Sequence, residues 1–356
     1  MDLVDKAAKN GEAAPGFNKQ FRVGAREVGA GAPVLIIAEA GVSHFGDLKL
    51  ALDLVDLAAE SGADVFKTQF FDVEQLYAGR AQEWRDRLRP RNLSLDQARE
   101  LADQCRKRGI MFMSTAHDES RIPWLVELDV PAVKVGSGER NNPAFLEKLA
   151  SLGKPMLVST GMYGSDDVRE ALGACARGGC RDVALLHCVT SYPTPSDQVN
   201  ISAMDRLREV FDGPVGYSDH TEGFLAPYAA VARGANVVEE HITILRDVPN
   251  AQDWKVSAGP ENFKRFVTEL RQIEAMIGGG QKGPAPCEIP AMKWALKSMV
   301  AARSLAAGHR LKRSDLVAKR PGDGVPPNQI DRLIGGELVR PIHADTPVLL
   351  EDIKRS

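Results

Sequence analysis

The 356-residue chain has no run of about 18 apolar residues, so no segment is built to cross a membrane as a helix. It has no strong excess of one charge. A formal net charge of -3 leaves no basic field for nucleic acid or for an anionic membrane surface. The cysteines (Cys105, Cys175, Cys180, Cys188 and Cys287) are odd in number and show no Cys-x-x-Cys spacing. This argues against a disulfide framework and for free thiols in a reducing compartment. Residues 1–21 are polar and lack the apolar core of a secretion signal, so a cytoplasmic chain is expected. No repeat of solenoid length and no low-complexity tract beyond an Ala/Gly-rich start is visible. The remainder is 44% hydrophobic and 26% charged, the composition of a soluble globular protein. The length exceeds what one compact domain usually holds, which predicts a large and a small domain.

What is present is an alternation. Eight short apolar runs begin near Val34, Asp64, Ile110, Ala132, Pro155, Val183, Pro214 and Val237. Helical segments separate them, such as 48–61, closed by Gly62, and 94–109, opened by Ser94 as a helix N-cap. Eight strand–helix units over about 250 residues predict an α/β fold, a closed (β/α)8 TIM barrel rather than an open sheet. Residues 1–30 read as a loose leader and 31–280 as the barrel. Residues 281–294 follow a Gly-rich break at Gly278 and read as a linker. Residues 295–356 are broken by Gly and Pro and read as a small, mostly β domain.

In a barrel of this kind the carboxyl ends of the strands form the active face. Read in order, those ends carry Glu39, Lys67 with Gln69, Ser114 with Thr115, Lys134 with Ser137, and Ser159 with Thr160. Then come His187 with Thr190, Ser218 with His220, and Glu239 with His241. Two imidazoles just past neighbouring strands suit a divalent metal. Lysines and hydroxyls converging on one rim suit a small anion carrying phosphate and carboxylate. Lys67 and Lys134 each sit inside an apolar run, where burying a charge is costly unless it is used.

The motifs Ile37-Ala-Glu-Ala-Gly, Lys67-Thr-Gln, Phe112-Met-Ser-Thr, Lys134-Val-Gly-Ser-Gly-Glu and Ser159-Thr-Gly-Met follow one another. Leu186-His-Cys-Val-Thr-Ser-Tyr-Pro, Gly216-Tyr-Ser-Asp-His-Thr, Glu239-Glu-His-Ile-Thr and Lys319-Arg-Pro-Gly complete the series. In this order they resemble the sialic acid (nonulosonic acid) synthase family, with a C-terminal domain similar to the antifreeze-like SAF fold. The resemblance implies condensation of phosphoenolpyruvate with an amino sugar. It implies that Glu39, Lys67 and Lys134 are catalytic, the lysines holding phosphoenolpyruvate with Thr115, Ser137, Ser159 and Ser218. Gln69, Tyr192 and Asp253 would face the sugar with Glu39. His220 and His241 would hold Mn²⁺, or else Mg²⁺ or Co²⁺, as a Lewis acid on the sugar aldehyde. Arg320 would reach the N-acyl group from the partner's small domain in a domain-swapped homodimer. The barrel mouth itself shows no obvious planar cationic donor for that group.

The sequence departs from the family pattern at Ser43-His44, at Ala116-His117, at Glu240 and at Ala251-Gln-Asp253-Trp254. Several of these changes fall towards the sugar, so the reaction type is better defined than the acceptor. N-acetylmannosamine and a 2,4-diacetamido-trideoxyhexose are both open. Other readings are an octulosonate-phosphate type of synthase, a Schiff-base aldolase using Lys67 or Lys134, and a non-catalytic SAF-type carbohydrate-binding protein.

Overall fold

The computed structural model describes residues 16–249 and 251–354. The chain divides after Gly278 into two compact units. In the first, two short antiparallel strands, β1 (Gln20–Val23) and β2 (Arg26–Gly29), precede the barrel. Eight parallel strands follow: β3 (Leu35–Gly41), β4 (Val65–Phe70), β5 (Met111–Ala116), β6 (Val133–Val135), β7 (Met156–Ser159), β8 (Val183–His187), β9 (Val215–Ser218) and β10 (Val237–His241). They pair in sequence order, and β10 closes on β3. This is the TIM barrel that the alternation predicts. Each of the eight apolar runs becomes one strand.

The local signals explain the helices. Helix Leu48–Ser61 is capped by the Asp47 side chain and stopped by Gly62, whose φ of 85° favours glycine. Helix Leu95–Arg108 carries a full capping box between Ser94 and Gln97. Buried residues of these helices pack on the outward residues of the strands, such as Ile36, Phe66, Val133 and Val238.

Strand side chains alternate, so the inward set is separate from the outward one. Leu35, Ile37, Val65, Met113, Leu157, Leu186 and Val237 form an apolar interior cluster. Phe21, Val23 and Val28 of the β1–β2 hairpin complete it. Residues 20–29, expected to belong to a loose leader, therefore form a plug for the barrel core. Residues 1–15 of that leader lie outside the described residues.

The second unit, from Gly279, contains β11 (Ser298–Ala301) paired with β12 (Leu316–Lys319), and β13 (Glu337–Leu338) paired with β14 (Ile353–Lys354). Its core includes Met299, Leu305, Leu333, Leu338 and Val348. It contains a repeated device. Asp315 accepts from Arg303 at 2.7 Å and Asp352 accepts from Arg340 at 2.6 Å, each arginine 12 positions upstream of its aspartate. Residues 281–294, read as a linker, include the short helix Ile289–Ala295 at their end. Among the described residues no helix is long and apolar enough to cross a membrane.

Phe21 is 7% exposed inside the interior cluster. Phe21→Ala should destabilise the barrel by about 3 kcal/mol through lost burial and a residual cavity. The urea transition of the purified variant measures this. An unchanged midpoint would show that the hairpin does not support the core.

Candidate active site

Just above the apolar interior layer, the inward positions turn polar. Every expected site residue except Arg320 lines one cavity of about 530 Å³: Glu39, Lys67, Gln69, Thr115, Lys134, Ser137, Ser159, Tyr192, Ser218, His220, His241 and Asp253. Parallel pairing sets them side by side. His241 stands opposite Glu39, Glu39 opposite Lys67, Thr115 opposite Lys134, and Ser218 opposite Glu239. Arg320 belongs to the second unit, where its guanidinium lies 6.0 Å from the centre of the Trp294 ring.

Glu239 is the hub. Its carboxylate lies 3.6 Å from Lys67 Nζ and 3.5 Å from Lys134 Nζ, and accepts from Ser218 Oγ at 3.0 Å. Lys67 also pairs with Glu39 at 2.6 Å, and Gln69 Nε2 donates to Glu39 at 2.9 Å. Lys134 donates to Ser159 Oγ at 2.7 Å. All four charged groups are buried. Burial works against the charge on each lysine. For Lys67, Glu239 and Glu39 outweigh it and raise its pKa. For Lys134 burial wins, aided by the like charge of Lys67, and its pKa falls. Glu239 suffers the same burial, but Lys134 and Lys67 hold it at about 2.

His220 is neutral. Burial and the neighbouring His241 pull His220 down to about 3. The Val189 carbonyl, 2.6 Å from His220 Nδ1, can only accept, so Nδ1 carries the proton. Nε2 is then free to accept from the Tyr192 hydroxyl at 2.8 Å. The ring centres of His220 and His241 are 5.4 Å apart, and His241 Nδ1 is buried without a hydrogen-bond partner. The neutral imidazole of His220 and the orphaned nitrogen of His241 fit a divalent cation whose other ligands come from substrate or water. Among the described residues no third His, Cys, Asp or Glu joins them as a ligand cluster.

Other strand-end residues serve the scaffold. Ser114 and Thr160 donate to the carbonyls of Thr68 and Leu186, and His187 Nε2 donates to that of Val199. Of the departures, His117, Gln252 and Asp253 line the cavity. His117 meets Gln69 at 3.3 Å. His44 is fully buried: it accepts from the Gly46 amide and meets Thr68 Oγ1 at 3.3 Å. Glu240 lies outside the cavity, beside Asp219 on the outward side of the sheet. Burial and that neighbouring carboxyl push its pKa well above the usual carboxylate range.

The segment after β4 supplies groups that the sequence reading missed. Tyr77, Trp84, Arg87, Leu88 and Arg91 line the same cavity. The expectation that the mouth has no planar cation of its own is therefore incorrect. The signal in the sequence is an arginine-rich stretch, Arg85 to Arg91, which resembles an ordinary solvated helix until its placement is known.

The architecture and the charge arrangement define a barrel protein whose buried lysines and hydroxyls suit a small anion. The chain belongs to the NeuB family, whose profile matches residues 54–282; the SAF domain profile matches residues 297–354. It is 36% identical to the N,N'-diacetyllegionaminic acid synthase of Legionella pneumophila, covering 95% of this chain and 99% of that one. It is 33% identical to the human N-acetylneuraminate-9-phosphate synthase, covering 92% and 94%. The crystal structure of the N-acetylneuraminic acid (sialic acid) synthetase of Leptospira borgpetersenii in complex with citrate matches with a TM-score of 0.72 at 32% identity. It covers 78% of this chain and 97% of that one.

Burial, with the charges of Lys67 and Lys134, pulls the His117 pKa down from 6.5 to about 4. The unfolded chain therefore takes up a proton between those values while the folded chain does not. Stability falls as pH drops through that window, by about 3 kcal/mol once the pH is below the folded value. His44, lowered to about 4 mainly by burial, adds a similar slope. His117→Gln should flatten the decline and leave the His44 share. Urea midpoints across the window measure it, and an unaltered slope would mean that His117 already titrates normally.

Proposed function

We propose that this chain is a nonulosonic acid synthase. It condenses phosphoenolpyruvate with an N-acyl amino sugar, such as N-acetylmannosamine or a 2,4-diacetamido-trideoxyhexose, and releases phosphate by C–O cleavage. The observation that carries the reading is the pair of buried lysines around Glu239, with the hydroxyls of Thr115, Ser137, Ser159 and Ser218 on the same cavity wall. Two ammonium groups and a row of hydroxyl donors match a phosphate and a carboxylate borne on one small molecule.

Lys67 and Lys134 hold phosphoenolpyruvate. Its methylene carbon attacks the aldehyde carbon of the open-chain sugar, and C2 gains cationic character that the nearby carboxylates stabilise. Water adds at C2, and the C2–O bond to phosphate breaks. Glu39, fixed by Lys67 and Gln69, lies where it can move a proton for ring opening. Tyr192 and Asp253 line the sugar end. His220 and His241 would hold a divalent ion, Mn²⁺ first and Mg²⁺ or Co²⁺ as alternatives. When bound, it would supply Lewis-acid polarisation of the carbonyl. The protein acts in the cytoplasm as a domain-swapped homodimer, in which the partner's exposed Arg320 contacts the acyl group.

Exhaustive chelation should abolish turnover and Mn²⁺ should restore it; full activity of the metal-free protein would sink the metal assignment. In ¹⁸O water the label should enter the nonulosonate, and label in the released phosphate would rule out C–O cleavage. Lys67→Ala and Arg320→Ala proteins should each be inactive. Mixed after subunit exchange, they should regain activity through one intact site. No recovery despite demonstrated exchange would mean that each chain completes its own site.

A further inference from the structure

The segment after β4 includes the short helices Val73–Leu76 and Gln82–Leu88. Its arginines fall into two groups. Arg85 and Arg89 share Glu74, at 2.7 and 2.6 Å, and Arg85 Nε also donates to the Tyr77 carbonyl at 2.8 Å. Arg87 lies between them in sequence. Residues two apart do not share a helix face, so the clamp that holds Arg85 and Arg89 leaves Arg87 on another side. That side lines the cavity.

Among the described residues no carboxylate lies within ion-pair distance of Arg87. Its guanidinium is instead 5.0 Å from the centre of the Trp84 ring, and that ring stacks on Tyr77 at 6.1 Å and 7°. Arg91 lines the same cavity, its guanidinium 5.1 Å from the centre of the Phe45 ring. Burial lowers the Arg91 pKa, the charge of Arg87 lowers it further, and the carboxylate of Asp253 acts in the opposite direction. Arg87 itself has no carboxylate within ion-pair distance among the described residues, so an oxyanion gives it a charge-assisted partner that a neutral sugar substituent does not. A guanidinium stacked on an aromatic face keeps its N–H edge free for a bidentate acceptor. The lysines and histidines occupy the buried end of the cavity, whereas Trp84 is 45% exposed at its mouth. The group that Arg87 meets therefore belongs to the end of the acceptor remote from the reacting aldehyde.

Resting on the synthase reading above, and narrowing its N-acyl amino sugar from the two neutral examples to an anionic one, we propose that Arg87, braced by Trp84, selects an acceptor sugar bearing an oxyanion at the end remote from its aldehyde, as a phosphate ester or a carboxylate. Arg87 is then a specificity-determining residue of the barrel's own chain.

The test follows phosphoenolpyruvate consumption by the Mn²⁺-loaded, full-length protein. Four acceptors are compared: N-acetylmannosamine, its 6-phosphate, N-acetylmannosaminuronate and a 2,4-diacetamido-trideoxyhexose. One anionic acceptor should exceed both neutral sugars in kcat/KM by about tenfold or more, as a charge-assisted contact implies. Which anionic sugar leads separates phosphate from carboxylate. Arg87→Ala should collapse that ratio through the KM of the anionic acceptor, and Arg87→Lys, which keeps the charge but loses the fork, should recover part of it. Neutral sugars used as well as or better than both anionic ones would overturn the proposal, as would an equal loss on all four acceptors in Arg87→Ala. Turnover confined to neutral sugars overturns this proposal alone. No turnover with any sugar overturns the synthase reading and this one together.

Discussion

The structure depends on one electrostatic constraint: Glu239 lies between two buried ammonium groups. Removing either kind of charge from water is expensive, and mutual attraction offsets the cost only when the geometry is good. The geometry here is set by strand register. β10 pairs with both β9 and β3, so closing the barrel is the same event as bringing Glu239 to Ser218 and His241 to Glu39. The apolar layer below, completed by the hairpin residues Phe21, Val23 and Val28, makes closure favourable without help from the charges. The barrel can therefore hold a polar layer that would not stabilise a fold by itself.

That layer is unequal by construction. Lys67 has two carboxylate neighbours, and Lys134 has one together with a like charge. Lys67 is consequently held charged, while Lys134 gains most from an arriving anion. A dianionic substrate supplies the missing countercharge, so binding and relief of the site's own imbalance coincide. The neutral His220 follows from the same burial. An imidazolium beside two ammonium groups would be repelled, whereas a neutral ring remains available as a ligand.

Much of this was legible in the sequence, for reasons of period. Strands buried on both faces appear as apolar runs, and a polar residue interrupting such a run at an inward position stands out. That is how Lys67 and Lys134 are found, whereas Glu239 is visible only as a strand-end residue beside His241 and its position in the sequence assigns it no role. The strands of the β1–β2 hairpin are too short for periodicity to register, so residues 20–29 look like a leader. The matching pairs Arg303–Asp315 and Arg340–Asp352 share a spacing but little surrounding sequence, which hides the repeat in the second unit. The wall of Tyr77, Trp84 and Arg87 sits on a segment of short helices, too short for a period in the sequence to indicate which side meets the cavity.

The same period explains which departures from the family pattern matter. Glu240 lies between Glu239 and His241 in sequence, yet strand alternation turns it outward to Asp219, where burial raises its pKa and it is away from the cavity. A change there alters the packing of sheet against helices and leaves the inward row intact. His117 follows β5 and lines the cavity beside Gln69, next to groups expected to face the sugar. The chemistry thus resides in inward strand positions that closure fixes, while discrimination among acceptors resides in the segments beyond the strand ends. Those segments are free to vary because the apolar interior layer does not depend on them.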